Sequence, residues 1–368
     1  MDVFDIIKKI SHSSILPALY TKEDRNYLDN KWKNRNPNLF DSKCLTQADE
    51  NLDFSLIIPL YNSEKYIDSL LSALIGQETK FSYEIILVDD GSRDRTLSII
   101  RNYENKFSPL IHVISKKNGG ISNARNSGLM ASRGKYIGFM DHDDMVDNNY
   151  IQELMSTAYD RHADLVKCEI VAKNSYGSIL EDIQTQSEIV TVDDVQKLMM
   201  YDGYIWACAI SRKLFSHLRF PDSYWYEDMI TRFLVYPLCN RIVNTTKTKY
   251  IKLEHDSNAS KTLWSSKNYK ALEQLYLLEH IFNSFVDFKV NNGLFIAKAL
   301  LAEAGGTSEY RVDKLDGMAK KQVFLALRNI ILENINVDKY SLLSEEEKIV
   351  YDIFKHKRYL NWLLLKFI

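Results

Sequence analysis

The feature that most limits the fold is a repeated unit: a wholly apolar run, a polar turn, then an amphipathic stretch. The run FSLIIPLYN from Phe54 is apolar on both faces and ends at a turn, the pattern of a parallel strand buried between two layers. Ile67, Leu70, Leu71, Leu74 and Ile75 then recur at helical spacing. The unit repeats. EIILVDDGS reads as strand and turn, Thr96 to Phe107 as helix, LIHVIS as strand and Ser122 to Ser132 as helix. KYIGFMDHDD reads as strand and loop, followed by a helix with Ile151, Leu154, Met155 and Ala158 on one face, and ADLVKCEIVA as a further strand. This alternation predicts an α/β fold with an open, mostly parallel sheet and helices on both faces.

A chain of 368 residues exceeds the roughly 250 to 300 that one hydrophobic core serves. Residues 1–50 are polar and irregular and read as an N-terminal extension, and 51–265 carry the α/β pattern, in halves 54–175 and 176–265. From 266 to 368 apolar residues fall at helical spacing, which predicts a C-terminal helical domain. Lys and Arg number 47 against 49 Asp and Glu, a net charge of −2, so no polycationic field seeks nucleic acid. Cys44, Cys168, Cys208 and Cys239 form no CxxC pair, which fits a reducing compartment. The start shows no secretory signal and no run is long enough to span a bilayer, so the expected location is cytoplasmic.

Polar clusters close successive strands: Pro59-Leu60-Tyr61-Asn62 with Glu64, Asp89-Asp90-Gly91-Ser92 with Asp94, Asn118-Gly119-Gly120 leading to Ala124-Arg125-Asn126, and Asp141-His142-Asp143-Asp144. Six of the 13 glycines lie between Gly91 and Gly138, in the region where a doubly wound sheet binds ligand. Carboxylates gathered at adjacent strand ends repel unless a cation or hydrogen-bond donors compensate. A divalent ion with oxygen ligands is the natural compensator, and Mg²⁺ or Mn²⁺ takes phosphate oxygens as further ligands. NGG opening a helix offers backbone N–H groups to an anion, with Arg125 adding a charge-assisted contact.

In this order and spacing, PLYN, VDDGSRDRT, NGGISNARNSG, FMDHDD and the later WYED resemble the bacterial family 2 nucleotide-sugar glycosyltransferases of the GT-A (Rossmann-like) fold. The resemblance covers residues 54 to about 260. It implies a nucleotide-sugar-binding half over 54–175 and an acceptor half over 176–265. It sets the donor against Pro59, Tyr61, Glu64, Asp90, Asn118, Arg125, Asp141 and His142. It implies Mn²⁺ or Mg²⁺ as cofactor, with Asp143 or Asp144 as ligand, the sequence leaving open which, and His255 as a further ligand. Asp228 would be the base, with Glu227 next to it the alternative, while Ser260 or Lys261 would touch phosphate.

The expected function is therefore a metal-dependent, inverting transfer of a sugar, UDP-sugar the first donor considered, to a glycan, lipid-linked or glycoprotein acceptor of a bacterial cell surface. The first strand leads into PLYNSEKY and not GxGxxG, which disfavours a nicotinamide oxidoreductase. A non-catalytic carbohydrate-binding or scaffold protein is the alternative. The C-terminal KHKRYLNWLLLKFI is basic, then aromatic and apolar, and suits peripheral contact with the inner face of the membrane. It equally suits docking on the helical domain or a second copy of the chain.

Overall fold

The computed structural model describes residues 23–365, apart from 46, 175–177, 184–187, 192, 256–267 and 292. The chain forms two units, whose described residues are 38–194 with 202–255, and 23–37 with 195–201 and 268–365.

The first unit is built on one sheet: β1 (Phe54–Leu60), β2 (Tyr83–Asp89), β3 (Ile111–Ser115), β4 (Tyr136–Phe139), β5 (Met145–Val146), β6 (Leu165–Asn174), β7 (Ile179–Ile183), β8 (Ile189–Val190), β9 (Cys208–Ser211) and β10 (Ile242–Glu254). The order is β3-β2-β1-β4-β9-β6-β10-β5, with β7 beside β6 and β8 beside β10. From β3 to β4 every pairing is parallel. β9 runs antiparallel between β4 and β6, and β6 and β10 are again parallel. All seven residues of β1 are buried, as a strand covered on both faces requires.

The two covers are visible in β1 itself. Leu56, Ile58 and Leu60 join one core with Ile67, Leu70, Leu71 and Leu74 of helix α1 (Ile67–Ile75). Helix α2 (Thr96–Phe107) packs on β3. On the opposite face, Ile57 lies against Gly128 of helix α3 (Ile121–Ala131), while helix α4 (Tyr150–Asp160) packs on β6 and β10 from the α1 side, its Ile151, Leu154, Met155 and Ala158 joining the same core as Leu70 and Leu71. The α/β expectation is met, and the parallel strands β1, β2 and β4 bring their C-terminal ends to one edge.

The helical unit contains α5 (Glu273–Asn283), α6 (Leu294–Ala302), α7 (Gly317–Asn334), α8 (Glu345–Lys355) and α9 (Tyr359–Trp362). Residues 23–37 group with this unit. The reason is Arg25, which forks onto both carboxylate oxygens of Glu279 and lies 4.6 Å over the Tyr276 ring. Residues 38–50 go instead with the sheet unit, where Asp41 N–H donates to the His217 carbonyl at 2.9 Å.

The C-terminal segment is docked. Trp362 is fully buried, its Nε1–H donates to the Ala304 carbonyl at 2.8 Å, and its ring lies 5.5 Å from Phe324. Tyr359 and Leu365 are buried with it, so the aromatic face that also suited a membrane surface or a second copy is used inside the unit. Phe367 lies outside the described residues. Among the described residues no helix is long and apolar enough to cross a membrane. Trp362→Ala is expected to cost about 3–5 kcal/mol of unfolding free energy, read by denaturant melts. A variant as stable as the parent would contradict this packing.

Candidate functional site

Two strand-end turns are knitted together before any ligand is considered. Ser63 N–H donates to Thr96 Oγ1 at 2.7 Å, Asn62 N–H to Ser92 Oγ at 2.9 Å, and Arg93 N–H to the Asn62 side chain at 2.8 Å. Glu64 accepts from the Arg95 N–H at 2.9 Å. These bonds fix the loop after β1 against the loop after β2. They leave Tyr61 exposed at the edge while Pro59 stays buried within β1.

Asp90 organises the next turn. Its buried carboxylate accepts from Lys116 Nζ at 2.7 Å, from Gly119 N–H at 2.9 Å and from Gly120 N–H at 2.7 Å, while the Asn118 side chain donates to the Asp90 carbonyl at 2.9 Å. The NGG donors, expected to face an anionic ligand, thus face an anion of the protein itself. Gly91 makes the approach possible. Its φ is +75°, and a Cβ there would stand 2.9 Å from Asn118 N. Lys116 carried no motif and was missed by sequence reasoning.

Arg125 is expected from the sequence at the donor. It is instead buried, with Nη1 2.8 Å from Glu227 Oε1, Nη2 3.1 Å from Asp141 Oδ1, and Nη1 3.7 Å from Asp228 Oδ1. Its guanidinium lies 5.5 Å over the Phe220 ring. The Glu227, Asp141 and Asp228 carboxylates outweigh the effect of burial and hold its pKa above the ordinary arginine value. The neighbouring Asn126 fixes the other side, pairing through its amide with both the N–H and the carbonyl of Phe220 at 2.9 Å. The ARN segment therefore builds the wall that carries residues 220–228.

That wall is bent. Ser223 and Tyr226 both have φ of +62°, a conformation costly for side chains of their kind and frequent where a structure serves a site. A π-helical turn, Thr231–Val235, follows directly. Asp228 sits between them. Its side chain is 29% exposed, yet Oδ1 is itself buried and accepts no hydrogen bond. Burial, then the charge of Glu227, push its carboxyl well above the ordinary value against the opposing pull of Arg125. Burial and like charge dominate here.

The four residues after β4 take separate places. Asp144 is buried, accepts from the Tyr250 hydroxyl at 2.7 Å and from Leu253 N–H at 2.9 Å, and is pushed up to about 8 by burial and by Asp141. Asp143 lies 2.9 Å from His255 Nε2, both side chains 17% exposed. His142 meets the Tyr66 ring edge-on. Among the described residues no group of three or more His, Cys, Asp or Glu is placed to hold a metal ion. One carboxylate beside one imidazole still fits Mn²⁺ or Mg²⁺, which are commonly held by one or two protein ligands and completed by phosphate and water. Ser260 and Lys261 lie outside the described residues.

Residues 55–205 match the family described as Glycosyl transferase family 2. They form a family 2 domain. The match ends before Glu227 and Asp228, so the place of that pair rests on its geometry. Bacillus subtilis EpsJ, an uncharacterized glycosyltransferase, is 34% identical over 168 residues, 44% of this chain and 48% of EpsJ. Staphylococcus aureus TarS, a poly(ribitol-phosphate) beta-N-acetylglucosaminyltransferase, is 33% identical over 127 residues, 34% of this chain and 22% of TarS. The chain thus spans less than half the length of either relative. A crystal structure of S. aureus TarS 1–349 with UDP-GlcNAc shares the fold at TM-score 0.66 and 22% identity, covering 86% of this chain and 90% of that one.

Replacing Arg125 tests this electrostatic arrangement without reference to activity. Arg125→Met leaves three carboxylates without their buried cation and is expected to cost about 3–5 kcal/mol near pH 8. With the cation gone nothing opposes burial and Glu227 at Asp228, whose carboxyl already stands above its ordinary value, so the folded state gains stability as pH falls and loses it as pH rises. Urea melts at pH 8 and pH 5.5 should show the deficit shrinking at the lower pH. A pH-independent deficit would mean that Arg125 acts by packing alone.

Proposed function

We propose that the chain is a metal-dependent, inverting glycosyltransferase that moves a sugar from a UDP-sugar to an acceptor hydroxyl in bacterial cell-surface glycan synthesis. The observation that carries this reading is Asp228: a carboxylate oxygen without a hydrogen bond, made more basic by burial, on the wall facing the acidic strand end of β4. A general base works best when its pKa approaches the operating pH. The family 2 match and the fold shared with TarS support the donor class. UDP-GlcNAc is the first donor to test, and a teichoic-acid-type polymer the first acceptor.

In this reading the donor lies along the ends of β1, β2 and β4. Tyr61 flanks the base with Pro59 bracing the strand end from within β1, the turn fixed by Asp90, Asn118 and Glu64 lines its edge, and Asp141 with His142 lies toward the ribose and sugar. Asp228 takes the proton of the acceptor hydroxyl through its solvent-facing carboxylate oxygen, Oδ1 being buried toward Arg125, as the hydroxyl oxygen bonds to the anomeric carbon. The bond to the diphosphate breaks on the opposite face and its electron pair leaves with UDP. Arg125 keeps Glu227 and Asp141 in place and stays out of the donor's reach. Mn²⁺ or Mg²⁺ held by Asp143 and His255 would supply charge neutralisation for the departing diphosphate. Asp144, engaged by Tyr250 and Leu253, braces the loop.

Binding and chemistry should fail separately. Asp228→Asn should lower turnover by about 10² to 10⁴ and leave donor affinity within a few-fold, whereas Asp143→Asn should weaken metal-dependent donor binding itself. Calorimetry with UDP-GlcNAc beside release of UDP reads both, and near-normal turnover in Asp228→Asn would move the base to Glu227. Excess EDTA should abolish release of UDP, with Mn²⁺ restoring it. Full activity in EDTA would remove the metal from the account.

A further inference from the structure

We infer that Tyr66 is the positioning residue for the cation site, acting through the ring of His255; this rests on the reading of Asp143 and His255 as that cation's protein ligands. Tyr66 lies outside the strand-end clusters that the sequence brought forward. It stands at the start of α1, where its N–H donates to the Ser63 carbonyl and its own carbonyl accepts from Leu70 N–H, both at 3.0 Å. The backbone under the ring is therefore fixed by the first turn of a helix whose apolar side is buried.

The ring joins two parts of the site that come from distant stretches of chain. It stacks on His255 with centroids 5.4 Å apart and 20° between planes, and it meets His142 at 5.7 Å and 62°. His255 directs Nε2 to Asp143 Oδ2 at 2.9 Å. A stacked neighbour restricts rotation of the imidazole about its ring torsion, and that torsion decides whether Nε2 points at Asp143. Losing a group that orients a metal-ligating imidazole commonly costs about 10- to 100-fold in metal affinity.

The stack also favours the loaded state. An imidazole that shares its lone pair with a cation becomes electron-poor, and the electron-rich face of a phenol ring attracts it more strongly than the free ring. The hydroxyl of Tyr66 has no part in this argument, so the aromatic ring alone should suffice. Because Tyr66 follows directly on the turn fixed to Ser92, Thr96 and Arg93, the cation site is tied to the loop proposed to hold the nucleotide.

The test is Mn²⁺ binding in the presence of UDP, read from the electron paramagnetic resonance signal of free Mn²⁺ with the full chain. Tyr66→Ala and Tyr66→Leu are each expected to weaken binding by about tenfold or more, with Tyr66→Phe within about twofold of the parent. In a His255→Ala background, Tyr66→Leu should add no further loss, as required of a residue acting through that imidazole. Tyr66→Leu keeps apolar bulk beside α1, so a thermal melt matching the parent separates lost positioning from lost folding. Parent-like Mn²⁺ binding in Tyr66→Leu, an equal loss in the His255→Ala background, or a loss in Tyr66→Phe as large as in Tyr66→Leu would each overturn the inference. If the parent binds no Mn²⁺ with UDP, the reading of the cation site falls and this inference with it. If the parent binds and Asp143→Asn does not, an unaffected Tyr66→Leu overturns the inference alone.

Discussion

One buried guanidinium, that of Arg125, holds the site together. It stands on α3, yet its fork reaches Asp141 at the end of β4 and Glu227 on the bent wall before the π-helical turn. A guanidinium keeps its charge in any protein environment, so burying it obliges those carboxylates to stay close. The fork has two ends and three acids near it. Glu227 and Asp141 take the hydrogen bonds, and Asp228 remains at 3.7 Å, inside the field but unbonded.

Different surroundings thereby make chemically similar side chains unlike one another. Glu227 is hydrogen-bonded, Asp228 is buried at Oδ1 and more basic than usual, Asp144 is pushed up to about 8, and Asp143 is turned to His255. Separating the properties of neighbouring acids by environment is how one fold assigns base and binding roles at neutral pH. The excess of carboxylates over the single Arg125 also leaves a local negative charge. A divalent cation and its phosphate ligands would offset it, which links the electrostatics of the site to the class of donor proposed.

The strands were legible because their apolar runs are uninterrupted and end in turn residues, and the polar clusters at β1, β2 and β4 were legible because they recur at successive strand ends. What the side chains there do was less so. Arg125 reads as a donor contact in a helix's first turn, and only folding brings up Glu227, a hundred residues later, to claim it. The NGG loop reads as an anion cradle, and it is one, but Asp90 occupies it. The ring of Tyr66 had no signal at all, since its partners His142 and His255 are distant in sequence. At the C-terminus the pattern of Tyr359 and Trp362 suits a membrane surface as well as a helical core, because both bury the same face. The Ala304 carbonyl that receives Trp362 puts that ring in the helical core.

The account depends most on Asp228 being an unusually basic carboxylate. The direct measurement is a ¹³C-carboxyl NMR titration of the free protein, with the Asp228 resonance assigned by its loss in Asp228→Asn. The account predicts a midpoint well above the ordinary aspartate range, moving higher when Arg125 is replaced. A midpoint at the ordinary value, unmoved by Arg125, would contradict it.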